Sequence, residues 1–285
     1  MSRPDYPFST SDHERQRLMR QADILAEATE RLLRKAQIGP GMRVLDVGSG
    51  AGDVAFLVRR LVGDSGEVIG TDRDSTQVSF ANRRAESLGY DNVRFIDSDF
   101  PSLVLDRPVD AIVGRLVLIF AKDPAAAVAG VCRNLRDGGV VAFLESNFTF
   151  DASVLVEPLD SLAAKVVGWI AAGLKHAGVQ PRLGMRLFSI MKIAGLEPSP
   201  QIESTFNVAQ GPEGHLFPYL VDLVRSAMDS IIASGAATAE EIDIESLERR
   251  LVADAPATGV VGTISSGVLG IVARKPAERP TSLKC

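Results

Sequence analysis

Three glycines stand at alternate positions directly after a short apolar run, at Gly48, Gly50 and Gly52. The residues before them, 44–47, are mostly apolar with β-branched valines, and this composition predicts a buried strand. The residues after them, 53–62, have the apolar spacing of a helix. A strand, a glycine turn and a helix in this order form the entrance to a nucleotide-type site in an open α/β sheet, because glycine lets a ligand approach the main chain closely.

The charges beside this turn indicate which ligand it would hold. Asp46 precedes the turn, and Asp53 stands where a dinucleotide-binding loop has its third glycine. Two carboxylates would repel a pyrophosphate, whereas they suit a positive charge, an amine or ribose hydroxyls. S-adenosylmethionine offers all three and carries no phosphate. Taken alone, the motif also fits a glycine turn that merely joins a strand to a helix.

Further strands and helices follow the glycine turn in alternation. Strands are predicted at 67–72, 92–99, 110–118 and 138–145, with helices at 75–88 and 124–135. Ligands in open α/β sheets bind outside the carboxyl ends of the strands. The polar residues at these ends are Asp46, Asp72, Asp97, Asp99, Arg115 and Glu145. Asp72 lies about 20 residues beyond the turn, where a carboxylate accepts hydrogen bonds from ribose hydroxyls.

With these motifs, residues 41–147 resemble the core of the class I S-adenosylmethionine-dependent methyltransferases. The resemblance is greatest to the small-molecule branch typified by the ubiquinone and menaquinone biosynthesis methyltransferases. It implies a Rossmann-like α/β fold with a seven-stranded, mostly parallel sheet, an antiparallel last strand and helical cap insertions. It also implies S-adenosyl-L-methionine as the cofactor and methyl transfer as the activity.

The resemblance assigns roles to individual residues of the cofactor site. The first motif of the family, which wraps the methionine and ribose parts of the cofactor, corresponds to Asp46, Gly48, Ser49, Gly50 and Gly52. Its remaining cofactor-binding positions correspond to Asp72 at the ribose, Arg73 beside the adenine, Asp99 and Phe100 at the adenine edge, and Gly114 and Arg115 at the methionine end. Asp97 is a less certain match.

Composition restricts the kinds of partner. The chain has 285 residues, 46% of them hydrophobic, and a net charge of −5, so bulk charge gives no indication of a nucleic-acid partner. The paired arginines Arg59-Arg60 and Arg83-Arg84 are interpreted as solvated helix faces. The two cysteines, Cys132 and Cys285, have neither metal-ligand spacing nor the set found in arsenite methyltransferases. We expect a cytoplasmic protein that does not insert into a membrane, binds no metal and acts on a small-molecule acceptor. The sequence leaves open whether the protein forms a homodimer.

The segments outside this core would recognise the acceptor. The expected organisation is a helical leader or lid at 1–40, a core at 41–147, 184–208 and 256–275, a helical cap at 148–183 and 209–255, and a tail at 276–285. In related methyltransferases such a leader folds over the cofactor, so Arg17, Arg20 and Gln21 are candidate lid contacts, with Gln21 as a cofactor-binding residue. A solvated helix face is the alternative for the two arginines. A sixth strand is expected at 201–208 and a seventh at 267–274. We expect the cap to form a mostly apolar pocket that suits an aromatic or apolar acceptor, with Trp169, Phe217 and Tyr219 among its residues.

Methyl transfer requires alignment of the acceptor and exclusion of water, and a phenol or enol acceptor also requires a base. The candidate bases are His176, His215 and Glu145. Each has a structural alternative, since the histidines would also fit the surface and Glu145 would also fit a strand cap. Two other activities stay open on sequence grounds. One is a cyclisation or decarboxylation on the same cofactor-binding fold. The other is a nicotinamide-dependent dehydrogenase, which Asp53 disfavours.

Overall fold

The computed structural model describes residues 12–147, 156–180, 182–206, 208–263 and 267–277. The chain forms two compact units. The core unit comprises 26–145, 185–203 and 269–285, and the accessory unit comprises 1–25, 146–184 and 204–268. The expected leader is one long helix, α1 (Asp12–Lys35), whose first half belongs to the accessory unit and whose second half belongs to the core unit.

The core unit is built on a parallel sheet. Its first five strands are β1 (Arg43–Val47), β2 (Glu67–Asp72), β3 (Val93–Asp97), β4 (Val109–Arg115) and β5 (Leu135–Ser146). They lie in the spatial order β3-β2-β1-β4-β5, and every pair among them is parallel. All five residues of β1 are buried, as expected for the centre of a sheet covered on both faces. The five strands predicted from sequence are confirmed, with ends that agree to within three residues.

The sheet continues beyond β5 with antiparallel members. Further along the chain lie β7 (Glu197–Pro198), β8 (Glu203–Thr205) and β11 (Val268–Arg274), and the sheet order ends β5-β11-β7, with β8 also paired to β11. The amide of Gly138 donates to the carbonyl of Lys275, and the amide of Asn147 donates to the carbonyl of Gly267. The residue numbers along β5 and just after it rise from 138 to 147 while those of their partners beside β11 fall from 275 to 267. The last strand is therefore antiparallel to β5, as predicted.

The position predicted for the sixth strand is wrong. Two short pieces, β7 and β8, take the place of one strand at 201–208, so in the described part of the chain the sheet has eight strands and not seven. Only two residues of β7 pair with β11. Pro198 and Pro200 explain this interruption, because proline has no amide hydrogen to donate to a strand partner.

Helices flank the core strands, and two of them begin at side-chain caps. They are α2 (Asp53–Val62), α3 (Ser75–Ser87), α4 (Pro124–Val131) and α6 (Leu183–Ile193). The carboxylate of Asp74 accepts the Thr76 amide at the start of α3, and that of Asp123 accepts the Ala126 amide at the start of α4. Such N-caps satisfy amides that have no partner within the helix.

The accessory unit combines helices with a small sheet that the sequence did not predict. Its helices are α5 (Leu162–His176), α7 (Leu216–Ala233), α8 (Ala239–Ile242) and α9 (Leu247–Asp254), and its strands are β6 (Val156–Glu157), β9 (Val208–Gly211) and β10 (Val260–Thr263). The strands pair antiparallel in the order β6-β10-β9. Helices α5 and α7 pack closely, since a Cβ on Gly173 would lie 2.8 Å from Cγ1 of Ile231.

The small sheet changes two expectations. Residues 208–211 and 260–263 are strands of the accessory unit, whereas the sequence placed the first mainly in a helical cap and the second in the core. These strands have four residues each, too few for an alternating pattern to stand out. Most of the expected tail, from residue 278 on, lies outside the described residues. No helix among those described has the length and hydropathy that a membrane span needs.

Candidate functional site

The glycine loop at the carboxyl end of β1 is held in a conformation that its glycines allow. Gly48, Gly50 and Gly52 have φ of 64°, 50° and 90°, in the left-handed region where other residues are strained. The Ser49 amide donates to the carbonyl of Thr71 at 2.9 Å, and the Gly52 amide donates to the carbonyl of Ser49 at 2.8 Å. The loop is therefore fixed against the end of β2 before any ligand is present.

Gly48 is required for a second reason. A Cβ at this position would lie 2.3 Å from Cγ2 of Val117, which is too close for two carbon atoms. Val117 belongs to the loop that follows β4. The first glycine of the motif thus brings the turn after β1 against the turn after β4 at the same edge of the sheet.

Asp72 ties the end of β2 to the glycine loop. Its Oδ2 accepts the Gly50 amide at 2.9 Å, and its Oδ1 accepts the Asp74 amide at 3.0 Å. Burial raises the pKa of Asp72, and the two amides oppose this shift. Each carboxylate oxygen keeps a second lone pair, so the group has capacity for hydroxyl donors from a ligand.

A buried acid and a half-buried arginine lie behind the loop. Asp46 is 1% exposed, and its Oδ2 has no hydrogen-bond partner. Burial raises the pKa of Asp46 to about 8, although the charge of Arg115 opposes the shift. Burial lowers the pKa of Arg115, whereas Asp53 and Asp46 favour its charged form. Nη1 of Arg115 also donates to Oγ1 of Thr29 on α1 at 3.3 Å.

Asp46 and Asp53 do flank the turn, but neither is a free carboxylate in the folded protein. Oδ1 of Asp53 accepts Nη1 of Arg84 at 2.9 Å, and the raised pKa of Asp46 reduces its charge near neutral pH. The interpretation of Arg84 as part of a solvated face is wrong. The repulsion of a pyrophosphate that the sequence suggested is therefore weakened in the folded protein, because one acid is paired with a cation and the other is buried.

Glu145 closes the far side of this edge. It is fully buried at the end of β5, and its Oε1 accepts the amides of Val117 at 2.9 Å and Leu118 at 2.8 Å. Its Oε2 has no hydrogen-bond partner. Burial raises the pKa of Glu145 to about 8 against the effect of the amides. Glu145 therefore anchors the loop whose Val117 packs on Gly48, which fits the role of a strand cap.

The remaining predicted cofactor residues of the core unit lie at the same edge or just inside it. Arg73 follows β2 directly and is partly buried. Asp99 is exposed and precedes a single 3-10 turn that begins with the buried Phe100. Gly114 is inside β4, where a Cβ would lie 2.6 Å from Phe143. Its lack of a side chain is therefore explained by packing within the sheet.

The predicted residues on α1 and in the cap segments make contacts within the accessory unit. Nε2 of Gln21 donates to the hydroxyl of Tyr219 at 3.4 Å, and Nε of Arg20 lies 3.3 Å from Oδ2 of Asp222. These contacts join α1 to α7 within the unit. The large aromatic residues expected to line a pocket are in its interior, at most 4% exposed, namely Trp169, Phe217 and Tyr219.

Both candidate histidines are exposed, His176 in the last turn of α5 and His215 just before α7. Cys132 is buried. Within the described ranges, no group of three or more histidine, cysteine, aspartate or glutamate side chains could hold a metal ion.

Comparison with known proteins agrees with this geometry. Residues 38–172 match a family described as a methyltransferase domain. An arsenite methyltransferase from Halobacterium salinarum is 35% identical over 136 residues, which are 47% of this chain and 34% of that protein. A ubiquinone/menaquinone biosynthesis C-methyltransferase from Coxiella burnetii is 32% identical over 117 residues, 39% of this chain and 45% of that protein. The chain thus spans about a third to a half of the length of these curated relatives.

Solved structures show the same fold. The YcgJ protein from Bacillus subtilis has a TM-score of 0.57 at 19% identity, covering 88% of this chain and 99% of that one. A geranyl diphosphate methyltransferase in complex with S-adenosylmethionine has a TM-score of 0.52 at 20% identity, covering 88% and 85%. The [4+2]-cyclase SpnF has a TM-score of 0.56 at 21% identity, covering 88% and 81%.

A parallel sheet with an antiparallel last strand and a glycine loop after β1 defines a Rossmann-like cofactor-binding protein. Residues 38–172 match a methyltransferase domain, and this match supports the cofactor expected from the sequence, S-adenosylmethionine. The residues present fit this molecule. The loop offers left-handed glycines, Asp72 offers carboxylate oxygens with free lone pairs, and Asp46 offers a buried acceptor without a partner.

Proposed function

We propose that the chain transfers a methyl group from S-adenosylmethionine to a small, aromatic or apolar acceptor by in-line displacement. The observation that carries the proposal is the glycine loop fastened to Asp72 at the carboxyl end of the sheet, with the Gly50 amide 2.9 Å from the carboxylate. When bound, the cofactor supplies a methyl group on a positively charged sulfur, so the reaction needs alignment and exclusion of water more than chemical activation by the protein.

In this proposal each part of the site has a separate task. Asp72 would hold the ribose hydroxyls, and Asp99 and Phe100 would contact the adenine, with Arg73 beside it. The loop from Asp46 to Gly52 would surround the ribose and methionine parts, and Arg115 would support that end from within the fold. The buried Glu145 carboxylate would hold the loop after β4 against Gly48. This loop would then form the side of the site nearest the methyl group of the cofactor.

The relatives methylate different acceptors. The cysteines of this chain favour an organic acceptor over arsenite. Trivalent arsenic binds thiolates, so an arsenite site needs ionised cysteines. The sequence has two cysteines. Cys132 is buried, and burial raises the pKa of its thiol to about 12, which keeps it protonated at neutral pH. The net charge of −5 also supports a partner other than nucleic acid.

The experiment that tests the proposed function uses cofactor labelled in its methyl group. The protein is incubated with it and a mixture of small aromatic and isoprenoid-like compounds, and both labelled products and S-adenosylhomocysteine are followed. We expect a labelled small molecule and S-adenosylhomocysteine in equal amounts. An unmethylated, rearranged product without S-adenosylhomocysteine would contradict methyl transfer.

The structure favours alignment without an imidazole base, because a general base must contact the acceptor and both His176 and His215 are exposed. We expect the single variants His176→Ala and His215→Ala to bind S-adenosylhomocysteine normally and to keep turnover within about threefold, since removal of a true base costs on the order of 10²-fold or more. The measurement is initial rate with the acceptor found above. A loss of that size in one variant alone would identify its histidine as the base and contradict the alignment mechanism. If both variants keep their turnover, Glu145 is the remaining candidate base.

A further inference from the structure

Arg84 on α3 reaches back to the glycine loop of the core unit. Its Nη1 donates to the carbonyl oxygen of Ala51 at 2.6 Å and to Oδ1 of Asp53 at 2.9 Å. Ala51 and Asp53 stand on either side of Gly52, whose φ of 90° is the largest of the three loop glycines. One guanidinium therefore joins the end of the loop to the first residue of α2.

Aromatic rings hold this guanidinium in place. Its Cζ lies 5.0 Å from the ring centroid of Phe56 and 5.8 Å from that of Phe80. Phe56 meets Phe95 edge-on at 5.8 Å, and a Cβ on Gly52 would lie 2.7 Å from Phe95. A planar cation against aromatic faces loses little further freedom when it makes hydrogen bonds, so Arg84 has a defined position.

A loop with three glycines has many conformations open to it, and ordering them on ligand binding costs affinity. A contact that fixes the loop beforehand reduces that cost. The bond to Ala51 is of this kind, because it acts on the loop's own main chain. The bond to Asp53 is an ion pair with side chains 24% and 19% exposed, so it is shielded from the solvent that weakens surface pairs.

We propose that Arg84 is a positioning residue that holds the glycine loop in its cofactor-binding conformation and thereby sets the affinity for S-adenosylmethionine. The inference rests on the assignment of this loop to the cofactor, as in the proposed function. Arg84 itself does not contact the reacting atoms in this account. It acts through Ala51 and Asp53, and Gly52 is the hinge that it immobilises.

The test is calorimetric titration of the full chain with S-adenosylhomocysteine. We expect Arg84→Met to raise the Kd by about fivefold to tenfold, and Arg84→Lys to give a smaller rise, because lysine keeps the charge without the planar fork. The matched control is Arg83→Met, since Arg83 is the preceding residue of the same helix and is exposed. We expect this control to bind like the wild type.

Thermal unfolding of the same variants separates positioning from general stability. We expect the partial recovery of affinity in Arg84→Lys to occur without a matching recovery in Tm. Should Arg84→Met fail to fold, Asp53→Asn provides the second test, because it removes the charged partner and leaves Arg84 in place; we expect a Kd raised by about threefold. Wild-type affinity in a folded Arg84→Met or Asp53→Asn variant would overturn the inference, whereas a wild-type protein that does not bind the ligand would overturn the proposed function itself.

Discussion

Replacement of Asp72 by alanine is expected to weaken the binding of S-adenosylmethionine by more than tenfold. The carboxylate is proposed to accept two ribose hydroxyls, and each charge-assisted hydrogen bond contributes about 1.5–3 kcal/mol. The alanine variant also frees the Gly50 amide, which the carboxylate holds at 2.9 Å, so the loop loses an anchor at the same time. Both effects act in the same direction on Kd.

Two further variants make this result specific. Asp72→Asn keeps an oxygen that can accept the Gly50 amide but removes the charge, so its affinity should lie between those of the wild type and Asp72→Ala. Asp91→Ala removes an exposed acid in the turn before β3 and should leave Kd unchanged. Measurement is by calorimetry with S-adenosylhomocysteine. Unchanged affinity in Asp72→Ala would show that β2 does not deliver its terminal acid to the cofactor.

Deprotonation of the buried acids is expected to make the fold less stable at alkaline pH. Burial raises the pKa of both Asp46 and Glu145 to about 8, above the values of the unfolded chain. The folded state therefore binds these protons more tightly, and the stability they provide is complete below the unfolded pKa near 4 and is lost as pH rises toward 8. The Glu145→Gln variant keeps an oxygen that can accept the Val117 and Leu118 amides, but it has no titratable group at this position.

We expect the free energy of unfolding of the wild type to fall from pH 5 to pH 8.5 by roughly 3 kcal/mol more than that of Glu145→Gln. Urea titrations at these two pH values measure the difference. Glu86→Gln, an exposed acid on α3, is the control and should follow the wild type. An equal fall in wild type and Glu145→Gln would mean that Glu145 is already ionised in the folded protein at pH 5.

The parts of the fold that the sequence predicted well are those specified locally. The first five strands are short segments rich in apolar and β-branched residues, and the loop after β1 carries glycine at each position where φ is positive. Such features need no knowledge of distant residues. The sixth strand was misplaced because Pro198 and Pro200 divide it into pieces too short to show a pattern.

The details of the site depend on contacts between residues far apart in the chain. The sequence predicts a free acid at Asp53, whereas in the structure Asp53 accepts a hydrogen bond from Arg84, which is 31 positions later in the chain. Glu145 reads equally as a base or a strand cap until its bonds to the loop after β4 are seen. The apolar residues Trp169 and Phe217 read as pocket lining but fill the interior of the accessory unit. No local spacing distinguishes these alternatives.

The most direct test of the central claim is a comparison of two cofactors on the wild-type protein by calorimetry. S-adenosylmethionine and NAD share an adenosine, so they differ mainly in the part that the glycine loop and its surroundings must accommodate. Because the Gly50 amide of the loop already donates to the Asp72 carboxylate, it is not available to a pyrophosphate. The account therefore predicts a saturable titration with S-adenosylmethionine and at least 100-fold weaker binding of NAD, a difference of about 3 kcal/mol. Tight binding of NAD together with no binding of S-adenosylmethionine would contradict it.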